Sequence, residues 1–336
     1  EERLRFLMGG PDIEFRHPVT AEIWNGYLFD RNSVLDRKAP EEYRAAIDAQ
    51  VEACQRVFVR PLGVLSGEAG TGKTTVIRAL IKAIKRGHGG GASVIALAPT
   101  GKAADRIREV MEKDEALRGR VEVATIHSFL AKRGWLNPNM TFKRMGGRVE
   151  EDYQTYILDE SSMLDLSLTA TFFRAVRWAT VQRLILVGDP NQLPPIGRGR
   201  VFADIIEFVR DHAPESIATL TCNLRQLQGR LTDGATGIID LARCYINASN
   251  GAAKNEEITT GAEQILQRVQ MGGDIAPDLR VIYWSDQEDL SRALLGQMAQ
   301  DMAGDVRSRG EIPDKGLSKL WRQAHENNRK PAYLQV

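Results

Sequence analysis

The stretch Gly67-Glu68-Ala69-Gly70-Thr71-Gly72-Lys73-Thr74, with Thr75 next to it, fits the pattern G-x-x-x-x-G-K-S/T without a mismatch. Glycines at these positions let backbone N–H groups converge on phosphate oxygens, and a helix N-terminus behind them adds partial positive charge. Lys73 would reach the β- and γ-phosphates, and Thr74 would hold Mg²⁺ through its hydroxyl. The competing reading is a glycine-rich turn that binds nothing. The flanks speak against it. Leu62 to Ser66 is a short apolar run that reads as a buried strand, and Val76, Ile77, Leu80, Ile81 and Ile84 recur at helical spacing.

A phosphate loop needs placed charge around it more than covalent help. Asp159-Glu160 closes a second apolar run, Tyr156 to Leu158. Asp159 would orient the Mg²⁺ shell and Glu160 would take the proton of an attacking water. The bland alternative is a solvated acidic pair opening a helix. Gln192, in Gly188-Asp189-Pro190-Asn191-Gln192-Leu193-Pro194-Pro195, could touch a γ-phosphate and sense its loss, or be part of a proline-rich turn. Arg225 could clamp phosphate charge with its planar fork, or form a surface ion pair.

Thr100, Lys102, Thr125 and His127 follow two further strand-like runs. Hydroxyls, backbone amides and a lysine suit a nucleic-acid backbone, and Phe129 and Trp135 could stack on bases. Read from composition alone, the threonines are helix caps and Phe129 is core.

These residues need a frame that brings them together. Pro40-Glu41-Glu42 opens a helix to about Phe58, with Gln50 on it. Strands are expected at 62–66, 93–98, 121–124, 156–158, 183–187 and 217–220, each followed by a polar loop and most by a helix. That rhythm predicts a parallel sheet with every reactive loop at the carboxyl ends of the strands. Residues 131–152 break it. They are rich in Gly, Asn, Lys and Arg, and read as a small protruding hairpin. Residues 231–273 read as helical and polar, Leu279 to Trp284 as a strand, Asp289 to Met302 as a helix, and Tyr333 to Val336 as the start of another strand.

The 336 residues exceed one compact domain. With 43% apolar and 26% charged residues the composition is that of globular material, and no run is long enough to span a membrane. Cys54, Cys222 and Cys244 make no C-x-x-C pair, so no zinc site or disulfide framework is indicated, and a cytoplasmic location is expected. A net charge of +1 neither announces nor excludes a polyanion partner.

Taken in order, these blocks resemble the superfamily 1 DNA helicases, and among them the RecD-like branch that moves 5′ to 3′. The resemblance runs from Gln50 to Arg225, and more weakly to Trp284. Gln50 stands where that family has an adenine-contacting glutamine. Gly67 to Thr74 resembles motif I, with Glu68 and Ala69 in place of the more usual Gly-Pro. Ala98 to Ala104 and Thr125 to Leu130 resemble motifs Ia and Ib, which implies DNA contacts for Thr100, Lys102, Thr125 and His127. Leu158 to Met163 resembles motif II, Val187 to Pro195 motif III and Leu220 to Gln226 motif IV. The last implies an arginine-finger role for Arg225, and motif III implies that Gln192 couples γ-phosphate to DNA.

The implied fold is α/β: a RecA-like P-loop NTPase domain over 41–275, with a pin-like hairpin at 131–152, after an N-terminal segment 1–40. Residues 276–336 would begin a second RecA-like domain. No block resembling motifs V or VI follows residue 284, so the chain reads as a fragment. The implied cofactors are ATP and Mg²⁺. The implied partners are single-stranded DNA and other subunits or domains of a repair or conjugation complex. A DNA-loading module that holds ATP without motor activity, and a small-molecule P-loop kinase, are the alternative readings.

Overall fold

The computed structural model describes residues 2–232, 237–238, 241–242, 265–276 and 278–308. The chain divides into two compact units, Glu1–Gly251 and Ala252–Val336.

The first unit is built on six strands: β1 (Leu62–Gly67), β2 (Val94–Ala98), β3 (Glu122–Thr125), β4 (Thr155–Leu158), β5 (Arg183–Gly188) and β6 (Ile217–Leu220). All pair in parallel, in the order β3-β2-β4-β5-β1-β6. Residues alternate between the two faces with the period of two that a strand imposes. Leu65, Ala96, Ile157, Ile185 and Val187 face one hydrophobic core; Val64, Ile95, Leu97, Leu158 and Leu186 face the other. Both faces are covered, so these strands are continuous apolar runs rather than alternating ones.

Around the sheet lie α4 (Pro40–Phe58), α5 (Lys73–Gly87) and α6 (Gly101–Lys113) on the first core, and α7 (Ile126–Lys132), α8 (Leu166–Ala175) and α9 (Val201–His212) on the second. Helix α10 (Leu224–Thr232) follows β6. Helix α4 starts at Pro40 with Glu41 and Glu42 in its first turn, as expected from residue type. Of the N-terminal segment, α1 (Glu2–Met8), α2 (Ala21–Leu28) and α3 (Val34–Lys38) pack onto this framework. Phe15 stacks on Phe58 with centroids 4.0 Å apart, and Trp24 meets the same ring edge-on at 5.1 Å. Trp24 and Phe58 are buried and Phe15 partly so; fully burying such a side chain contributes roughly 1.5–3 kcal/mol by area removed from water.

The small insertion expected over 131–152 carries a short antiparallel hairpin. Lys132 still belongs to α7, and only one antiparallel bridge, Leu136 to Phe142, is present among the described residues. Backbone bonds close it, the Asn137 N–H donating to Thr141 O and the Lys143 N–H to Trp135 O, both at 2.9 Å, and side chains tie it down. Arg133 pairs with buried Glu150, and the Trp135 indole N–H donates to Arg148 O at 2.8 Å. Trp135 and Phe129 are both core residues, so base stacking by either is not supported; the core-packing alternative holds.

In the second unit, β7 (Gly273–Ala276) and β8 (Leu279–Val281) form an antiparallel pair, followed by helix α11 (Gln287–Ser308). The strand expected over 279–284 stops at Val281, the end of its pairing with β7. Ile282, Tyr283 and Trp284 are exposed instead. Most of the expected helical region 231–273, and the strand expected at 333–336, lie outside the described residues.

Candidate nucleotide site

The phosphate loop leaves β1 and enters α5 through two left-handed glycines, Gly70 at φ 91° and Gly72 at φ 87°. Only glycine takes these conformations cheaply. A Cβ on Gly70 would come within 2.5 Å of Asn223 Oδ1, and one on Gly72 within 2.5 Å of Gln50 Nε2. Thr71 Oγ1 closes the loop onto Glu68 O at 2.8 Å. Lys73 folds back over it, donating to Gly67 O at 2.6 Å and Glu68 O at 3.0 Å. Burial lowers the pKa of this ammonium, against the opposing pull of Asp189, Glu160 and Asp159.

Asp159 and Glu160 sit just past β4. The Asp159 N–H donates to Leu97 O of β2 at 2.8 Å, which fixes the turn. Burial pushes the Asp159 carboxyl up to about 6, although the Glu160 N–H donates to it at 2.9 Å. Glu160 is held at φ 50° and ψ 40°, one of two non-glycine residues with positive φ among those described. A strained backbone at a carboxylate is a cost of order 1–3 kcal/mol that functional sites often retain.

From β5, Asp189 accepts the Asn191 N–H at 3.0 Å, and its carbonyl accepts the Gln192 N–H at 3.1 Å. Ser162 Oγ donates to Gln192 Oε1 at 3.5 Å, joining the β4 and β5 loops. From β6, the Arg225 N–H donates to Gly70 O at 3.3 Å and Asn223 Nδ2 to Ala69 O at 2.9 Å.

These loops enclose a cavity of about 270 Å³. Its walls include Glu68, Ala69, Gly70, Gly72, Lys73, Thr74, Thr75, Asp159, Glu160, Gln192 and Arg225. Gly67 and Thr71 shape the loop without lining that cavity. Gln50 lies beneath it: the side chain is buried, donates to Thr71 O at 3.0 Å, and leaves Oε1 without a partner among the described residues. The oxygen-rich pair of Thr74 and Asp159 in one cavity fits a hard cation such as Mg²⁺.

Three site residues escaped the sequence reading. Asn223 stitches the β6 loop to the phosphate loop, Asp189 exerts the largest charge effect on Lys73, and Arg106 of α6 also lines the cavity. Asp189 and Asn223 were visible only as members of longer blocks, and Arg106 only as a polar position on an amphipathic helix.

The nucleic-acid candidates gather beside this cavity, at the ends of β2 and β3. The register sets Ala98 opposite Thr125, which brings the starts of α6 and α7 side by side. Thr100 accepts the Ala103 N–H at 3.2 Å and Thr125 the Ser128 N–H at 3.0 Å, so both threonines cap helices as composition alone suggested. A capping hydroxyl accepts, and its own O–H remains able to donate. Lys102 is exposed, and the His127 ring lies 5.8 Å from Phe142.

Residues 46–238 match a family described as an AAA domain. An uncharacterized protein of Methanocaldococcus jannaschii is 31% identical over 249 residues, covering 72% of this chain and 20% of that protein. RecBCD enzyme subunit RecD of Mycolicibacterium smegmatis is 33% identical over 177 residues, covering 49% of this chain and 31% of that subunit. The chain therefore spans between a fifth and a third of these relatives. Among solved structures, unliganded Pif1 of a Bacteroides species aligns with a TM-score of 0.32 at 21% identity, over 65% of this chain and 47% of that one. Among the described residues no helix is long and apolar enough to cross a membrane.

Proposed function

We propose, because the chain belongs to the AAA domain family and to its RecD-like superfamily 1 type, that it is the ATP-hydrolysing motor segment of a DNA helicase moving 5′ to 3′ on single-stranded DNA. One observation carries the reading: Lys73, Thr74, Asp159, Glu160, Gln192 and Arg225 come from four separate strand-end loops and line one cavity.

The triphosphate lies along the Gly67–Thr75 loop, its charge met by the loop amides, the α5 N-terminus and Lys73. In exchanging Gly67 O and Glu68 O for phosphate oxygens, Lys73 trades two carbonyl contacts for charge-assisted ones. Thr74 and Asp159 would hold Mg²⁺, which would supply positive charge to offset that of the phosphates. Glu160 takes the proton of the attacking water, and Arg225 and Gln192 meet the γ-phosphate. Gln50, braced on Thr71, reaches adenine with its free Oε1 once the base is present. Single-stranded DNA runs across Thr100, Lys102, Thr125 and His127, its phosphates meeting hydroxyls and the ammonium. Partners within a repair or conjugation complex, and a cytoplasmic location, belong to the same reading; the RecD relatives are named as subunits of the RecBCD enzyme, and another relative as a probable conjugal transfer protein TraA.

Phosphate release by the chain, titrated with oligo(dT), tests this. A saturable rise of about tenfold or more is expected. A flat response to DNA would refute it, and turnover driven by a small-molecule acceptor would favour a kinase.

A further inference from the structure

We propose that Arg106 is a second arginine contact to the γ-phosphate, reaching it from the flank of the sheet opposite Arg225. The inference deepens the ATPase reading above and rests on it.

Strand order supplies the geometry. The cavity sits over the ends of β4, β5 and β1, which are adjacent in the sheet. Arg225 follows β6, immediately outside β1. Arg106 lies on α6, which follows β2, immediately outside β4. The two guanidinium-bearing residues thus line one cavity from its two sides.

Arg106 is held at that edge. Thr100 caps the start of α6, and Ala104, Ile107 and Met111 bury its other face. The β4 end is tied to β2 through the Asp159 N–H and Leu97 O, so α6 and Asp159 keep their spacing. The Arg106 guanidinium has no hydrogen-bond or ion-pair partner among the described residues.

Its charge reaches both Lys73 and Asp159. Two cations facing one small cavity repel each other unless an anion sits between them. Arg106 is exposed at the cavity's edge, and a tetra-anionic triphosphate placed there would remove that repulsion. Arginine also suits the task, because its planar fork gives two parallel hydrogen bonds to phosphate oxygens. Finally, Lys102 lies one helical turn before Arg106 on the same helix. A single rigid element therefore carries a proposed DNA contact and a γ-phosphate contact.

The test uses Arg106→Gln and Arg106→Lys in the full chain, with circular dichroism confirming the fold. Fluorescent mant-ADP and mant-ATPγS are titrated, and phosphate release is measured with oligo(dT). For Arg106→Gln, mant-ADP affinity should stay within about twofold, mant-ATPγS affinity should fall about tenfold, and turnover should fall at least tenfold. Arg106→Lys should recover part of both losses. Equal loss of both nucleotides, or no change in either, overturns the inference. Lys73→Ala serves as the control. If it binds both nucleotides like the parent chain, the ATP-site reading itself fails; if it loses them while Arg106→Gln behaves normally, only the Arg106 contact fails.

Discussion

Asn223 donates from Nδ2 to the carbonyl of Ala69 at 2.9 Å, and its Oδ1 accepts the Gln226 N–H at 3.0 Å. One side chain thereby caps α10 and fastens the loop of Arg225 to the phosphate loop. The Arg225 N–H adds a second stitch to Gly70 O. Asn223→Asp keeps an acceptor for the cap but replaces the donor with a charge facing a carbonyl. We expect its melting temperature to change by less than about 3 °C while ATP turnover falls about tenfold. Asn223→Ala loses cap and stitch together, and should cost about 1 kcal/mol of stability as well. Thermal melts and steady-state hydrolysis separate the two effects. An Asn223→Asp chain that turns over ATP normally would show that the stitch has no bearing on Arg225.

The insertion between α7 and β4 gives a prediction about pH. Glu150 is buried, which by itself would raise its carboxyl. The Asp152 N–H, the Arg133 hydrogen bonds and the Arg133 charge outweigh that and hold it below the usual glutamate range. A carboxyl depressed in the folded state stabilises at pH values above its unfolded pKa, and that contribution is lost as pH falls through the folded value. Glu150→Gln should therefore cost about 3 kcal/mol at pH 7, because Arg133 is left buried without its charge partner. The gap between parent and variant should close below about pH 4. Urea unfolding at several pH values measures it, and a gap that does not depend on pH would contradict the assignment.

Strands, phosphate loop and acidic pair were legible in the sequence because each couples a local pattern to a local requirement. Glycines at Gly70 and Gly72 meet positive φ, and doubly buried strands are apolar throughout. What was not legible depends on which strands are neighbours. Arg106 gains its place only because β2 lies beside β4, and Asn223 only because β6 lies beside β1. Trp135, in a basic insertion, has the residue type that stacks on bases. Its indole is instead covered by the segment's own return, with Gly147 directly over the ring. Gln50 was placed correctly on α4, but nothing in its spacing revealed that it props up the Thr71 carbonyl.

Burial of Asp159 implies a trade between stability and activity. Its carboxyl is pushed up to about 6 by burial, so at neutral pH the folded, nucleotide-free chain carries an ionised group whose charge burial penalises. A shift of that size corresponds to at most about 3 kcal/mol. Asp159→Asn should raise the melting temperature of the nucleotide-free chain by a few degrees, and should lower Mg²⁺-dependent ATP turnover by at least about a hundredfold. Differential scanning fluorimetry without Mg²⁺ tests the first part. A lower melting temperature would show that the carboxylate is well compensated in the empty site.

In the proposed motor, loops following β1 and β4 act on one nucleotide. Comparing Lys73→Ala with Glu160→Gln, for nucleotide binding and for phosphate release with oligo(dT), tests it most directly. We predict that Lys73→Ala weakens mant-ATPγS binding at least about tenfold, that Glu160→Gln binds within about threefold of the parent chain, and that both lose at least about 99% of turnover. Retained DNA-stimulated hydrolysis in either variant would contradict the claim.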